Sequence, residues 1–154
     1  MVQLKTILLT TDFSENAGAA VPYAIELARK FSGCINLVHV FEDSNIAVKL
    51  PGEGAIALDW LSAVRIERKV RLTALAEEIA KTEKVDVVPI FLQGTAASEI
   101  LNAAKANHAD CVVIATHGRT GFAHFLFGSI AERVVQLSPC PVLTVRPKAT
   151  EQQK

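Results

Sequence analysis

The residues best suited to chemistry gather in two places, the Thr10-Thr11-Asp12 turn and the stretch from Ala115 to Ser129. Gly118, Gly121 and Gly128 fall in the second and make up three of the chain's eight glycines. Glycine lets backbone N–H groups approach a ligand with no Cβ in the way. Gly128-Ser129 leads into a helical pattern, and the unpaired N–H groups and dipole at a helix start attract phosphate. A plainer reading stands beside this one. Ser129-Ile-Ala-Glu132 fits a capping box with Ser129 as the cap, and the glycines then only make turns. Arg119 offers a fork of donors that would suit phosphate oxygens, or else is an exposed loop arginine. His117, beside Gly118, suits phosphate contact, proton transfer or a hydrogen bond within the loop.

Other chemistries are excluded by spacing. There is no GxxxxGK[ST] loop and no GxGxxG fingerprint after the first strand, so neither the Walker-type nor the dinucleotide mode applies. No CxxC occurs, and Cys34, Cys111 and Cys140 lie far apart in apolar surroundings, which reads as core thiols in a reducing compartment. No Ser-His-Asp or Cys-His constellation and no metal-ligand cluster can be assembled. A divalent ion such as Mg or Mn would enter with the phosphates.

The elements that must position these residues alternate between short apolar runs and longer helical periods, the signature of an α/β fold. Strands are expected at residues 4–10, 34–41, 85–92, 111–115 and 142–146. One helix runs from its cap, Ser14, to Gly33, with an apolar stripe of Ala20, Ala24, Leu27 and Phe31. Residues 42–57 lack a period and read as a loop. A long helix over 58–82 buries Leu72, Leu75 and Ile79, and Trp60 reads as a packing anchor. Helices follow at 96–106 and from Ser129 to Leu137. Residues 1–147 are expected to form one domain, and 148–154 a polar, disordered tail.

Proline marks the edges of the sheet. It cannot donate to a ladder, and Pro89 lies inside the third strand while Pro141 begins the fifth. The runs Ile7-Leu8-Leu9 and 111–115 are apolar throughout, as central parallel strands are. The order is therefore 3-2-1-4-5, a doubly wound, open parallel five-stranded sheet with helices on both faces. Such a sheet reverses between strands one and four, and ligands sit at that switch point. The rule leads back to Asp12 and to residues 115–129.

Composition narrows the partners. Sixteen Lys+Arg balance 16 Asp+Glu, with no polybasic block, which argues against nucleic-acid and anionic-membrane binding. No apolar run approaches the ~18–20 residues that span a bilayer, and the N-terminal residues do not make a signal peptide. A cytoplasmic location is the expectation.

The strings THGRTG, FGSIAERVV and SPCPVLTVR, with the opening ILLTTDFSE, resemble the universal stress protein family over residues 4–147. That family's nucleotide-binding branch carries a G-x2-G-x9-G-[ST] motif. Here Gly118 matches its second glycine, and Gly128-Ser129 close it after nine intervening residues. Ala115 stands at the first glycine position, and Thr10 where the family usually has proline. The resemblance implies an ATP or AMP site built from Thr10, Thr11, Asp12, Val40, Ala115, His117, Gly118, Arg119, Gly128, Ser129 and Ile130. Within it, the Asp12 carboxylate would accept from the adenosine end and the Val40 backbone would meet the adenine edge. The resemblance also implies a homodimer through the fifth strand, Val142-Leu143-Thr144-Val145.

Two functions follow from different classes. One is a stress or signalling protein that holds an adenine nucleotide without rapid turnover, since no catalytic base or dedicated phosphate lysine can be placed. The other is a dimeric scaffold of the same fold that binds no nucleotide. A phosphoacceptor built on Asp12 lacks neighbouring acids, and a flavin carrier lacks aromatics, with one Trp and one Tyr.

Overall fold

A computed structural model describes residues 1–42, 54–117 and 128–147, with backbone alone for 54–58. The elements in order are β1 (Thr6–Thr10), α1 (Glu15–Gly18), α2 (Val21–Phe31), β2 (Cys34–Phe41) and α3 (Gly54–Glu83). They continue with β3 (Asp86–Gln93), α4 (Ala96–Ala106), β4 (Cys111–Ala115), α5 (Ser129–Leu137) and β5 (Val142–Val145). All strand pairs are parallel, and the order is β3-β2-β1-β4-β5, as the prolines require. Pro89 sits opposite Leu37 on the edge strand β3, and Pro141 precedes the other edge strand, β5.

Alternation along the central strands builds two cores. Ile7, Leu9, Ile35, Leu37 and Val113 face one side, where α2 and α3 bring Ala24, Ala28, Leu72, Ala76 and Ile79. Leu8, Val38, Val112 and Ile114 face the other, where α4 and α5 bring Ile100, Ala103, Ala104, Ala131 and Val134. Ile7, Leu8 and Leu9 are fully buried, each contributing on the order of 1.5–3 kcal/mol by leaving water. At the opposite end of the sheet from the strands' carboxyl ends, Asp110 Oδ2 accepts from the N–H groups of Lys5 (2.8 Å) and Thr6 (2.9 Å). Lys5 Nζ in turn donates to Phe31 O at the end of α2 (2.7 Å), a cation at a helix C-terminus.

Several local expectations are corrected. The first helix is two, broken at Ala19-Ala20, because Pro22 opens α2 and has no N–H to continue the ladder of α1. Gly33 does not supply the left-handed cap of α2. Ser32 does, at φ 49°, while Gly33 is needed for room: a Cβ there would lie 2.6 Å from the carbonyl oxygens of both Leu4 and Lys5. The long helix begins at Gly54, four residues before its periodic stripe becomes readable, and residues 43–53 of the expected loop lie outside the described residues. Trp60 is no anchor, being 47% exposed. The tail, 148–154, also lies outside the described residues.

Candidate functional site

At the carboxyl edge of the sheet, β1 and β4 deliver their ends to the point where the winding reverses. Thr11 N–H extends the ladder one step by donating to Val38 O (2.9 Å). The chain then turns sharply. Thr11 Oγ1 accepts from Phe13 N–H (3.0 Å), and Asp12 Oδ1 accepts from Ser14 N–H (2.9 Å) and Ser14 Oγ (2.5 Å). Ser14 Oγ accepts from Ala17 N–H (3.1 Å), capping α1 as the sequence predicts. These short-range bonds hold the Asp12 carboxylate at the mouth of the switch point.

The turn forces Phe13 to φ 63°, costly for an aromatic residue, and packing around the ring fixes it there. The Phe13 ring lies 4.4 Å from that of His39, and the Arg71 and Arg68 guanidinium carbons stand 4.7 and 5.7 Å from its centroid. His39 Nδ1 donates to Thr11 O (2.8 Å), and because a carbonyl can only accept, that nitrogen carries the hydrogen. The sequence offered no partner for His39. Its role is to tie β2 to the turn that presents Asp12.

On the β4 side, Thr116 N–H donates to Val145 O (2.9 Å), and Gly128 N–H donates to Thr116 O (2.6 Å), which brings the start of α5 to the end of β4. Thr116 Oγ1 and His117 Nδ1 lie 2.9 Å apart. Gly118 and Arg119 fall outside the described residues. Ser129 is not the cap of α5. Gly128 occupies that position at φ −72°, ψ 155°, with no side chain capping the helix, so the capping-box reading is overturned by one residue. Position 128 is also tight, since a Cβ there would stand 3.2 Å from Thr116 O. The first ladder bond of α5 is Glu132 N–H to Gly128 O (3.0 Å). The N–H groups of Ser129, Ile130 and Ala131 therefore precede it and have no partner within the helix.

The two turns open on one cavity of about 410 Å³. Val38, Val40, Ala96, Ile100 and Ile114 give it an apolar slot on the α4 side. Thr10, Thr11, Asp12, Thr116 and His117 form its polar rim, and Gly128, Ser129 and Ile130 one end. Ala115 lies in its floor, so every described residue of the expected site lines the same space. Sequence reasoning passed over Glu42 and Arg68, which also line it. Glu42 stands just past β2, at the carboxyl edge where ligands gather, and that position was the signal available. Its Oε1 accepts from Ala96 N–H (2.7 Å) and so occupies the start of α4. Arg68 carries no such signal, being brought in by a helix distant in sequence.

The arrangement suits binding better than turnover. An apolar slot, a carboxylate that accepts from a hydroxyl, and a helix start without a side-chain cap border one cavity, a combination suited to an anionic ligand with an apolar part. Among the described residues no group of three His, Cys, Asp or Glu could hold a metal ion, and no helix is long and apolar enough to cross a membrane.

Comparison with known proteins agrees with this architecture. The pattern of the universal stress protein family matches residues 3–146. Universal stress protein MJ0531 of Methanocaldococcus jannaschii is 33% identical over 142 residues, covering 92% of this chain and 82% of that protein. Universal stress protein YxiE of Bacillus subtilis is 29% identical over 144 residues, covering 91% and 97%. The solved structure of MJ0577 superposes with a TM-score of 0.84 at 27% identity, covering 97% of this chain and 100% of that one.

Proposed function

This chain belongs to the universal stress protein family, and from that premise we propose that it binds an adenine nucleotide, ATP or AMP, in the cavity between β1 and β4. One observation carries the reading: the Asp12 carboxylate, the uncapped start of α5 and the apolar slot all line the same space. Adenine lies in the slot with its edge at the Val40 backbone, and Asp12 accepts from the sugar. Phosphates meet the N–H groups of Ser129 and Ile130, with His117, Gly118 and Arg119 beside them. Thr10, Thr11 and Ala115 shape the floor. Mg or Mn, where present, is carried by the phosphates. Two structures of this fold support the size of ligand chosen, a universal stress protein solved with cAMP (TM-score 0.65, 18% identity) and one from Archaeoglobus fulgidus solved with dAMP (TM-score 0.62, 22% identity).

The nucleotide is held without rapid turnover. Phosphoryl transfer needs a base that positions a nucleophile, and among the described lining residues the hydroxyl beside His117 belongs to Thr116, which is 5% exposed. The protein then acts as a cytoplasmic stress or signalling component whose state follows nucleotide occupancy. Heating purified protein and weighing the released small molecules by mass spectrometry tests the reading, and ATP or AMP in stoichiometric yield is expected. A preparation that releases none and shows no heat on titration with either nucleotide refutes it.

The open edge of β5 supports assembly as a homodimer. Val142, Leu143 and Thr144 are only partly buried, and among the described strands β5 pairs with β4 alone. Analytical ultracentrifugation is expected to give twice the chain mass, and Leu143→Lys to give the chain mass. A wild type that stays monomeric at high micromolar concentration excludes this contact and favours a monomeric binding module.

A further inference from the structure

The buried stripe of α3 does something unusual where it reaches the cavity. Ile79, Ala76 and Leu72 are buried against the sheet, and the next position one turn back is Arg68. A crossover helix runs antiparallel to its strands, so this turn arrives at their carboxyl edge, where Arg68 lines the cavity. Its side chain is 23% exposed, well covered for an arginine. The carboxylate it meets among the described residues is Glu67, its own chain neighbour, 3.3 Å from Nε and 57% exposed. Such a pair offsets little of the cost of covering a cation. Among the described residues lining the cavity, Arg68 is the only arginine or lysine. The carboxylates there are already engaged, Asp12 by Ser14 and Glu42 by Ala96 N–H.

We infer that Arg68 is a ligand-contacting residue, a guanidinium that α3 supplies to an anionic group of the bound nucleotide from the layer opposite α5. The inference rests on the nucleotide reading above. Pairing through Nε leaves the two terminal nitrogens to present a fork to a phosphate oxygen pair. Stacking on Phe13 steadies the side chain without neutralising it.

Arg71 provides the control that separates this role from simple packing. It lies one turn along the same helix and stands closer to the same ring, 4.7 Å against 5.7 Å, yet it does not line the cavity. Arg68→Gln, Arg68→Lys and Arg71→Gln are titrated calorimetrically with ATP, AMP and adenosine, with thermal unfolding to confirm folding. Arg68→Gln is expected to weaken AMP and ATP by about tenfold or more and to leave adenosine within about twofold. Arg68→Lys should recover part of the loss, and Arg71→Gln should leave all three ligands within about twofold. The inference is overturned if Arg68→Gln binds AMP and ATP like wild type, if adenosine falls in step with them, or if Arg71→Gln loses as much. A wild type that binds none of the three ligands removes the nucleotide reading itself, and Arg68's role with it.

Discussion

Replacing Gly128 separates what the turn does for the fold from what it does for the ligand. At φ −72°, ψ 155° any residue is comfortable, so the glycine is not there for its backbone freedom. In Gly128→Ala the new methyl stands 3.2 Å from Thr116 O, an oxygen already drawn in by the 2.6 Å hydrogen bond from Gly128 N–H. Relief requires the turn to back away by a few tenths of an ångström, costing about 1 kcal/mol, the low end for overpacking. Against this, alanine restricts the unfolded chain and returns about 0.4–1 kcal/mol. Net stability should therefore move by less than about 0.5 kcal/mol, or roughly 1–2 °C in Tm for a chain of this length. The ligand sees no such cancellation. The same displacement would carry the N–H groups of Ser129 and Ile130 off the phosphates of the proposed pose, and about 1 kcal/mol lost there is about fivefold in ATP affinity. Gly128→Glu adds a like charge beside the phosphates, about 1–4 kcal/mol more at a separation near 4 Å. Calorimetric titration with ATP, run beside adenosine as the phosphate-free control, reads both effects. A folded Gly128→Glu that binds ATP as wild type does would refute the start of α5 as the phosphate site.

If the Asp12 carboxylate serves the sugar as proposed, Asp12→Ala should weaken ATP, AMP and adenosine by one common factor of about tenfold. Unequal factors in the same titrations would move Asp12 to the phosphate end. Ser129→Ala should cost less than about 0.5 kcal/mol in urea unfolding, since the residue opens α5 without capping it, and a loss near 1 kcal/mol would restore the cap. Gly33→Ala should cost about 3 kcal/mol, lowering Tm by about 6–12 °C, because its Cβ would meet two carbonyl oxygens at 2.6 Å. Burial pushes the Cys111 thiol above its ordinary 9.0, so the unfolded chain gives up this proton first. That contribution to stability is complete below about pH 9 and is lost as pH rises toward the folded value. Urea unfolding of wild type and Cys111→Ala between pH 7 and 10 should show a steeper decline in the wild type, and parallel curves would refute it.

The sheet was legible because its rules are local. Pro89 and Pro141 mark edges, and Ile7-Leu8-Leu9 can be buried on both faces only in the middle. Asp12 and the Gly128 turn were found by the switch-point rule, which needs only strand order. What escaped depends on distances between segments. Ser129 and Gly33 carry the residue types that ordinarily cap helix ends, yet the caps fall one residue earlier, on Gly128 and Ser32, and the two glycines stand where the backbone comes close, to Thr116 O and to the Leu4 and Lys5 carbonyls. Phe13, His39 and Arg68 come from three separate segments and meet only in space, while Pro22, which splits the first helix, is visible in the sequence and lies within the apolar stripe that suggested one helix.

The two cores described above are separate, one on each face of the sheet, and among the described residues no side chain belongs to both. The cavity is bordered from both sides, by Arg68 of one layer and by Ile100, Ser129 and Ala131 of the other. Any occupant becomes a rivet through the laminate, and prying a helical layer off the sheet means first releasing it. A ligand at one hundred times its Kd adds about 2.7 kcal/mol to stability. Occupancy is thereby translated into persistence, so that the lifetime of the folded chain against proteolysis becomes a gauge of how full its pocket has been.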